Sequence, residues 1–408
     1  MLDIRYIREN KSLVEKTAKD KGVEVDIEKL LSLDEKRRKL LQETEKLKAE
    51  QNKLQREEIE KGRELKKKIK EIQPKLSETE REYKDIMLLV PNLYSEDTPV
   101  SKDESGNKEI YKWGEVPKFD FAIKDHIELG KKLNLIDTEK GVKTSGFRGY
   151  YLKNEAVLLQ MALIWHCLLR MKEKGFALMI PPVMVKEFSL IGSGHFPFTK
   201  DEAYKIEGSE NYLAGTSEPS LLAYFSDSLL KESDLPVKVC AFSPCYRSEV
   251  GSYGKDTKGL YRVHEFMKVE QVVLCKNDLN ESGLWLEEMR AISEEILKEL
   301  ALPYRVLQIC TGDMGAGKYK MYDIETWMPS RNSYGETHSD SNLTDWQARR
   351  LNIRYKKEKE KLFVHALNNT VIASPRILIA ILENYQKKDG TIEVPEVLKK
   401  YLPFSEIK

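Results

Sequence analysis

The sequence predicts an α+β protein, a long N-terminal antiparallel helical coiled-coil arm followed by a mixed body. Three observations predict it. Leu33, Leu40, Leu47 and Leu54 recur at every seventh residue in a segment dense in Lys, Glu and Arg. A second run, Leu65, Ile69, Ile72, Leu76, Thr79, Tyr83, Ile86 and Val90, alternates steps of four and three, the seam of a coiled coil. From Tyr111 onward, apolar runs of strand length alternate with helical patterns.

The two heptad runs cover about residues 27 to 90 and pair most simply as one hairpin, with Gly62 as its turn. Helices of about 28 residues rising 1.5 Å each make an arm of about 40 Å. Pro74 removes one helical hydrogen bond, so a kink is expected there. The pattern alone also serves a plain oligomerising coiled coil. Pro91-Asn92-Leu93 ends the arm, and the polar stretch from Ser95 to Lys108 reads as a linker. The domains are then 1–105 and 106–408.

Charge and cysteine usage exclude several classes. Lys and Arg number 68 against 67 Asp and Glu, a net charge of +1, so any nucleic-acid surface must be local. Cys167, Cys240, Cys245, Cys275 and Cys310 form no paired framework, which indicates free thiols in a reducing compartment. No second Cys/His pair stands at zinc-ligand spacing from Cys240 and Cys245. Met1-Leu2-Asp3-Ile4-Arg5 lacks the apolar core of a signal peptide, and no run of about 18 apolar residues could cross a membrane. The expected address is the cytoplasm.

The strongest chemical signal lies between Phe242 and Glu270. Strand-like segments carrying Tyr246-Arg247-Ser248-Glu249 and Arg262-Val-His-Glu-Phe266-Met-Lys-Val-Glu270 flank a loop with Gly251, Gly254, Lys255, Lys258 and Gly259. A glycine-rich basic loop is mobile and attracts phosphate, and an Arg on a strand forks onto it rigidly. Those residue types also suit an ordinary charged surface hairpin. The full pattern, with its Lys-Asp-Thr-Lys-Gly-Leu loop and His-x-Phe-x-Lys-Val-Glu strand, resembles motif 2 of class II aminoacyl-tRNA synthetases in its seryl form. The resemblance runs from the arm to Glu396. It implies a catalytic domain made of an antiparallel sheet flanked by helices. It also implies ATP, Mg²⁺, L-serine and tRNA(Ser) as the molecules handled, and a homodimer. Arg247 would contact the α-phosphate and the adenylate with Ser248 beside it. Glu249 would read the adenine amino group, Arg262 would hold the outer phosphates, and Phe266 would stack on adenine. Glu270 would bind serine.

Three further stretches join by the same resemblance. Thr216-Ser217-Glu218 would clamp the serine ammonium, although read alone it is also a helix cap. Ala214-Gly215 stands before it where relatives often carry Ile-Pro, which leaves that backbone less constrained. Glu336-Thr337-His338-Ser339 would meet ATP, with Glu336 and Ser339 as Mg²⁺ ligands. The stretch after it contains Gln347-Ala-Arg-Arg350. Asn368-Asn369-Thr370 through Ser374-Pro375-Arg376 resembles motif 3. Ser374 can cap a helix with Pro375 at its first position, which puts Arg376 in the first turn. The helix dipole disfavours a cation there, so a bound triphosphate would compensate it. Asn368 and Thr370 would touch the serine side chain, and relatives often have Gly at the positions of Asn369 and Val371. Lys174-Gly175 to Pro181-Pro182 fits motif 1, the dimer element, or any helix-to-strand junction.

Gly312-Asp-Met-Gly-Ala-Gly317-Lys318 nearly matches a phosphate loop, but Tyr319 replaces the Mg²⁺-ligating hydroxyl and a strand pattern follows. No general base stands near the motifs. His264 alternates with site residues on a strand and should point away, so Arg247, Arg376 and Mg²⁺ would carry catalysis. Threonine adds one methyl to serine, worth about 1–3 kcal/mol, so Glu270, Asn368 and Thr370 must also use the hydroxyl. The arm would grip the variable arm of tRNA(Ser), and the motif 2 loop would also meet the tRNA. Lys36, Arg37, Lys46, Lys53, Arg56 and Lys66 to Lys68 are among the basic residues available. Two other readings stay open: a paralogue loading a small amino acid onto a carrier protein, and a non-enzymatic coiled-coil adaptor.

Overall fold

The computed structural model describes residues 1–54, 58–250 and 259–408. Contacts divide the chain into two compact units, Met1–Leu93 and Tyr94–Lys408.

In the first unit, helices Ile27–Gln51 and Ile59–Leu89 pack along each other as an antiparallel hairpin. Leu33, Leu65, Ile72, Leu76 and Thr79 are buried in the seam that the heptads mark, and Leu40 and Leu47 are half-buried. Asp34 lies buried near the base of the arm and accepts hydrogen bonds from Arg8 at 2.7 Å, Arg38 at 3.1 Å and Arg37 at 3.3 Å. One expectation needs revision. The chain reverses between Gln51 and Ile59, and Gly62 lies inside the second helix. A glycine costs a helix only about 1 kcal/mol, so the heptad phase outweighs it as a guide to the turn. Pro74 sits on the exposed face, and the helix is continuous through it from Ile59 to Leu89.

The second unit is built on one eight-stranded sheet. Its strands in chain order are β1 (Lys108–Trp113), β2 (Ala177–Met179), β3 (Val237–Tyr246), β4 (Glu265–Cys275), β5 (Tyr304–Gln308), β6 (Lys320–Met328), β7 (Ser333–Asn342) and β8 (His365–Ala373). Their spatial order is β1-β5-β6-β7-β8-β4-β3-β2. Every pairing is antiparallel except the edge pair β2–β3. Helices Glu155–Glu173, Leu279–Glu299 and Ser374–Asn384 contribute Leu163, Met289 and Ile377 to the buried core with Val273 and Ile324 of the sheet.

Helix Leu279–Glu299 covers one face of the central strands. Gln271 Nε2 on β4 and Asn369 Nδ2 on β8 both donate to the Met289 carbonyl, at 3.0 and 2.9 Å. Side chains alternate along a strand, so the neighbours Glu270, Asn368 and Thr370 face the other way. That second face carries the site.

The stretch read as a linker is part of the body. Ser95 N donates to the Tyr319 carbonyl at 2.9 Å, Gln308 Nε2 to the Asp97 carbonyl at 3.0 Å, and Thr311 N to the Pro99 carbonyl at 2.9 Å. A polar segment can bind a sheet edge through its backbone, and composition gives no sign of that. Among the described residues, no helix is long and apolar enough to cross a membrane.

Candidate active site

A cavity of about 190 Å³ opens on the free face of the sheet. Thr216, Glu218, Arg247, Glu249, Arg262, Phe266, Glu270, Glu336, Thr337, Ser339, Asn368, Thr370 and Arg376 all line it. Ser248 and His338, also singled out from sequence, do not. Ser248 turns outward, its hydroxyl donating to the Asp201 carbonyl at 2.9 Å. His338 is buried beneath the strand, where Nε2 donates to the Val371 carbonyl at 3.1 Å. Thr337 meets the cavity, yet its hydroxyl is turned to Thr326 Oγ1 at 2.8 Å.

A bulge explains the pairing of Glu336 with Ser339. Residues three apart on a regular strand face opposite ways. In β7, Ser339 pairs with Asp323, His338 with Ile324, but Glu336 with Glu325, which leaves Thr337 as an extra residue. The bulge restores a common face. Partial burial works against ionising Glu336, but the guanidiniums of Arg376, Arg247 and Arg262 prevail and hold its carboxyl below the usual range.

Arg376 emerges in the first turn of helix Ser374–Asn384. Its Nε donates to the Tyr261 carbonyl at 3.2 Å and its Nη1 to the Glu336 carbonyl at 2.8 Å, with the Tyr261 ring 4.5 Å away. Ser374 is not the cap that the sequence suggests. Ala373 occupies that position, and the Ser374 hydroxyl donates to Gln160 Oε1 at 2.8 Å.

Arg247 follows β3 directly. Its Nε donates to the Gly215 carbonyl at 3.2 Å, and its guanidinium lies 5.3 Å from the Phe266 ring. A Cβ on Gly215 would stand 3.3 Å from Arg247 Cγ and from the Tyr246 carbonyl oxygen, so glycine here allows a close approach. Glu249, at φ 53°, receives Arg262 Nη1 at 3.1 Å and Arg148 Nη1 at 3.5 Å. His264 does point away: its Nδ1 donates to the Arg247 carbonyl at 2.9 Å, and it lines a separate hollow with Tyr204 and Tyr246. Of the loop between the strands, residues 251–258 lie outside the described residues, so the readings of Gly251, Gly254, Lys255 and Lys258 do too.

At the other end of the cavity, Lys268 Nζ lies 2.5 Å from Glu270 Oε2 and donates to Thr216 Oγ1 at 3.2 Å. Burial pushes the Glu270 carboxyl up, against the pull of Lys268. Glu218 is buried, and its Oε1 accepts from Gln347 at 2.6 Å and Asn368 at 2.7 Å. Sequence reasoning missed Lys268, Lys318 and His195, which also line the cavity. Lys318 sits in the rejected phosphate-loop match, which is followed by strand β6. His195 lies in a Gly-Ser-Gly-His run that matched no motif considered.

One end of the cavity thus presents guanidiniums for phosphate, and the other presents paired carboxylates and ammoniums suited to a zwitterion. The seryl-tRNA synthetase N-terminal domain family matches residues 1–94, and the tRNA synthetase class II core domain (G, H, P, S and T) family matches residues 201–385. Serine–tRNA ligase of Borrelia garinii subsp. bavariensis is 44% identical over 425 residues, covering 100% of this chain and 99% of the relative. The chain belongs to the seryl-tRNA synthetases, a family of class II aminoacyl-tRNA synthetases. Serine–tRNA ligase of Deinococcus radiodurans is likewise 44% identical, with 100% and 99% coverage. Among solved structures, seryl-tRNA synthetase of Pyrococcus horikoshii complexed with ATP superposes with a TM-score of 0.91 at 39% identity, covering 100% of this chain and 99% of that one. Cytoplasmic serine–tRNA ligase of Naegleria fowleri in complex with AMP gives 0.89 at 32% identity, with the same coverage. The match at residues 1–94 spans the first compact unit, Met1–Leu93.

Proposed function

We propose that the chain ligates L-serine to tRNA(Ser) through a seryl-adenylate, and that it also serylates tRNA(Sec) where that tRNA is present. The observation that carries this reading is the convergence of Arg247, Arg262 and Arg376 with Thr216, Glu218 and Glu270 in one cavity.

In the first step a serine carboxylate oxygen bonds to the α-phosphorus of ATP, and pyrophosphate leaves. Charge builds on the phosphate oxygens, where Arg247 and Arg376 stand fixed by backbone carbonyls. Preorganised cations of this kind lower the barrier without reorganising. Glu249 reads the adenine amino group, Phe266 offers a stacking face, and Arg262 holds the outer phosphates. Thr216 and Glu218 receive the ammonium, and Glu270, Asn368 and Thr370 face the side chain and its hydroxyl. In the second step the terminal ribose hydroxyl of the tRNA attacks the acyl carbon and AMP leaves.

The donor set fits Mg²⁺: an ionised carboxylate and a hydroxyl, brought to one face by the bulge in β7. Glu336 and Ser339 would hold the ion, with phosphate oxygens and water completing its shell. When bound, it supplies charge neutralisation at the phosphates.

Three further assignments follow. Exposed Val157, Met161 and Trp165 on helix Glu155–Glu173, with Ile180 at 83% exposure, form an apolar surface that supports a homodimer. Buried, unpaired cysteines suit the reducing cytoplasm. The hairpin Ile27–Leu89 grips the tRNA. Arg37 is engaged by Asp34 and the Tyr83 ring, so exposed Lys36, Lys46, Lys53 and Lys66 to Lys68 are better suited to the phosphate backbone, and Arg56 lies outside the described residues.

The test is ATP–pyrophosphate exchange with each of the twenty amino acids, without tRNA. Exchange with serine alone, lost in Arg247→Ala, is the expected result. Exchange with glycine or alanine would favour a carrier-protein paralogue, and no exchange would favour an adaptor.

A further inference from the structure

Helix Trp346–Leu351 carries Gln347 and Arg350, to which the reaction above gives no task. Both side chains hold the segment 191–196. Gln347 Nε2 donates to the Ser193 carbonyl at 2.7 Å as well as to Glu218. Arg350 Nη1 donates to the carbonyls of Ile191 at 2.9 Å and Phe196 at 3.2 Å, with its guanidinium 3.7 Å from the Trp346 ring centre. Two glycines then seat on the same indole. A Cβ on Gly194 would stand 2.3 Å from the Trp346 ring, and one on Gly317 would stand 2.7 Å from it. Only glycine allows either backbone so close. The residue after each glycine, His195 and Lys318, lines the cavity.

Ser193 Oγ lies 3.2 Å from the Leu190 carbonyl oxygen and 2.8 Å from His195 Nδ1. Its single hydrogen serves one of the two, and when it goes to the carbonyl, Oγ accepts from Nδ1. A neutral ring with its proton on Nδ1 presents Nε2 as a bare acceptor. Burial favours that neutral form, against the pull of Glu218 and with the help of Lys318, Arg247 and Lys268. Glu218 Oε1 already receives two donors, so Nε2 is an acceptor still to be matched in this part of the cavity.

We propose that His195 carries its proton on Nδ1 and is a specificity-determining residue that accepts the hydrogen of the substrate hydroxyl at Nε2, and that Trp346 sets its depth in the cavity. This rests on the serine reading above. Alanine has no hydrogen to offer and would leave that acceptor unmatched, which is how a polar site rejects an apolar analogue.

The experiment is ATP–pyrophosphate exchange by the full chain with serine and with alanine. Wild type is compared with His195→Ala, His195→Leu, His195→Asn and Trp346→Phe. In the alanine and leucine variants KM for serine should rise about tenfold or more, with KM for ATP within about twofold. The serine-to-alanine ratio of kcat/KM should fall by at least as much. Asparagine, whose amide oxygen accepts, should restore part of the ratio, and Trp346→Phe should lower it. An unchanged ratio in whichever of the alanine or leucine variants retains the wild-type KM for ATP overturns the proposal. Wild type that exchanges with no amino acid, or with one lacking a hydroxyl, overturns the serine reading and this inference together. Wild type that selects serine while the variants do so equally well overturns this inference alone.

Discussion

Arg376 Nη1 donates to the Glu336 carbonyl at 2.8 Å and lies 3.2 Å from Glu336 Oε2, so one nitrogen fixes both the backbone and the carboxylate of its partner. The pair joins the helix after β8 to the bulge in β7. The bulge that aligns Glu336 with Ser339 is thereby tied to the guanidinium proposed to meet the phosphates.

Arg376→Ala should therefore lower kcat for ATP–pyrophosphate exchange by about a hundredfold or more, the usual effect of removing one preorganised donor. Arg376→Lys should recover little of it. A single ammonium cannot fork to the Tyr261 and Glu336 carbonyls while also facing phosphate. Steady-state exchange kinetics decide the matter, and a lysine variant near wild-type rate would show that charge alone suffices.

The arm should be separable from activation. Replacing Gln42 to Ser77 by a short Gly-Ser connector removes the distal hairpin and leaves Leu30, Leu33, Thr79 and Met87 buried at its base. Exchange with serine should stay within about twofold, while tRNA binding weakens about tenfold or more and loses much of its salt dependence. Filter binding across a salt series measures both. Equal affinity of the truncated chain for tRNA(Ser) would remove the arm from recognition.

Trp165, 55% exposed, shares a helix face with exposed Val157 and Met161, and Ile180 is 83% exposed, apolar surface of the kind that marks an interface. Trp165→Glu combined with Ile180→Glu should shift the protein from dimer to monomer at micromolar concentration in sedimentation velocity. A wild-type protein that sediments as a monomer would overturn the dimer reading.

How much of this was legible in the sequence depended on whether the signal was periodic, local or three-dimensional. The heptads marked the seam of the arm because burial repeats with the helix, but Gly62 misled because glycine is tolerated where packing supports a helix. Motif spacing brought together Arg247, Glu270, Thr370 and Arg376, since strand alternation decides which residues share a face. The same alternation predicted that His264 would turn away. It failed for Glu336 and Ser339, which stand three apart yet share a face because of a bulge that only strand pairing reveals. Lys318 and His195 were missed for a different reason. Each depends on a glycine pressed against Trp346, a contact between segments far apart in the chain.

Stability should fall in mild acid, and His365 is one measurable contributor. It is 4% exposed, and its Nδ1 lies 2.9 Å from Ser282 Oγ. Burial lowers its pKa below the ordinary 6.5, and the carboxylates of Asp345 and Asp278 oppose this without reversing it. The unfolded chain therefore takes the proton first as pH drops through about 6.5. In that window the unfolded state binds more protons, so unfolding free energy rises with pH and falls on acidification. One such group contributes a slope of up to about 1.4 kcal/mol per pH unit, ending at the folded pKa. Urea unfolding of wild type and His365→Gln between pH 7.5 and 5.5 should give a shallower pH dependence in the variant, whatever its absolute stability. Parallel slopes would mean that His365 keeps its ordinary pKa in the fold.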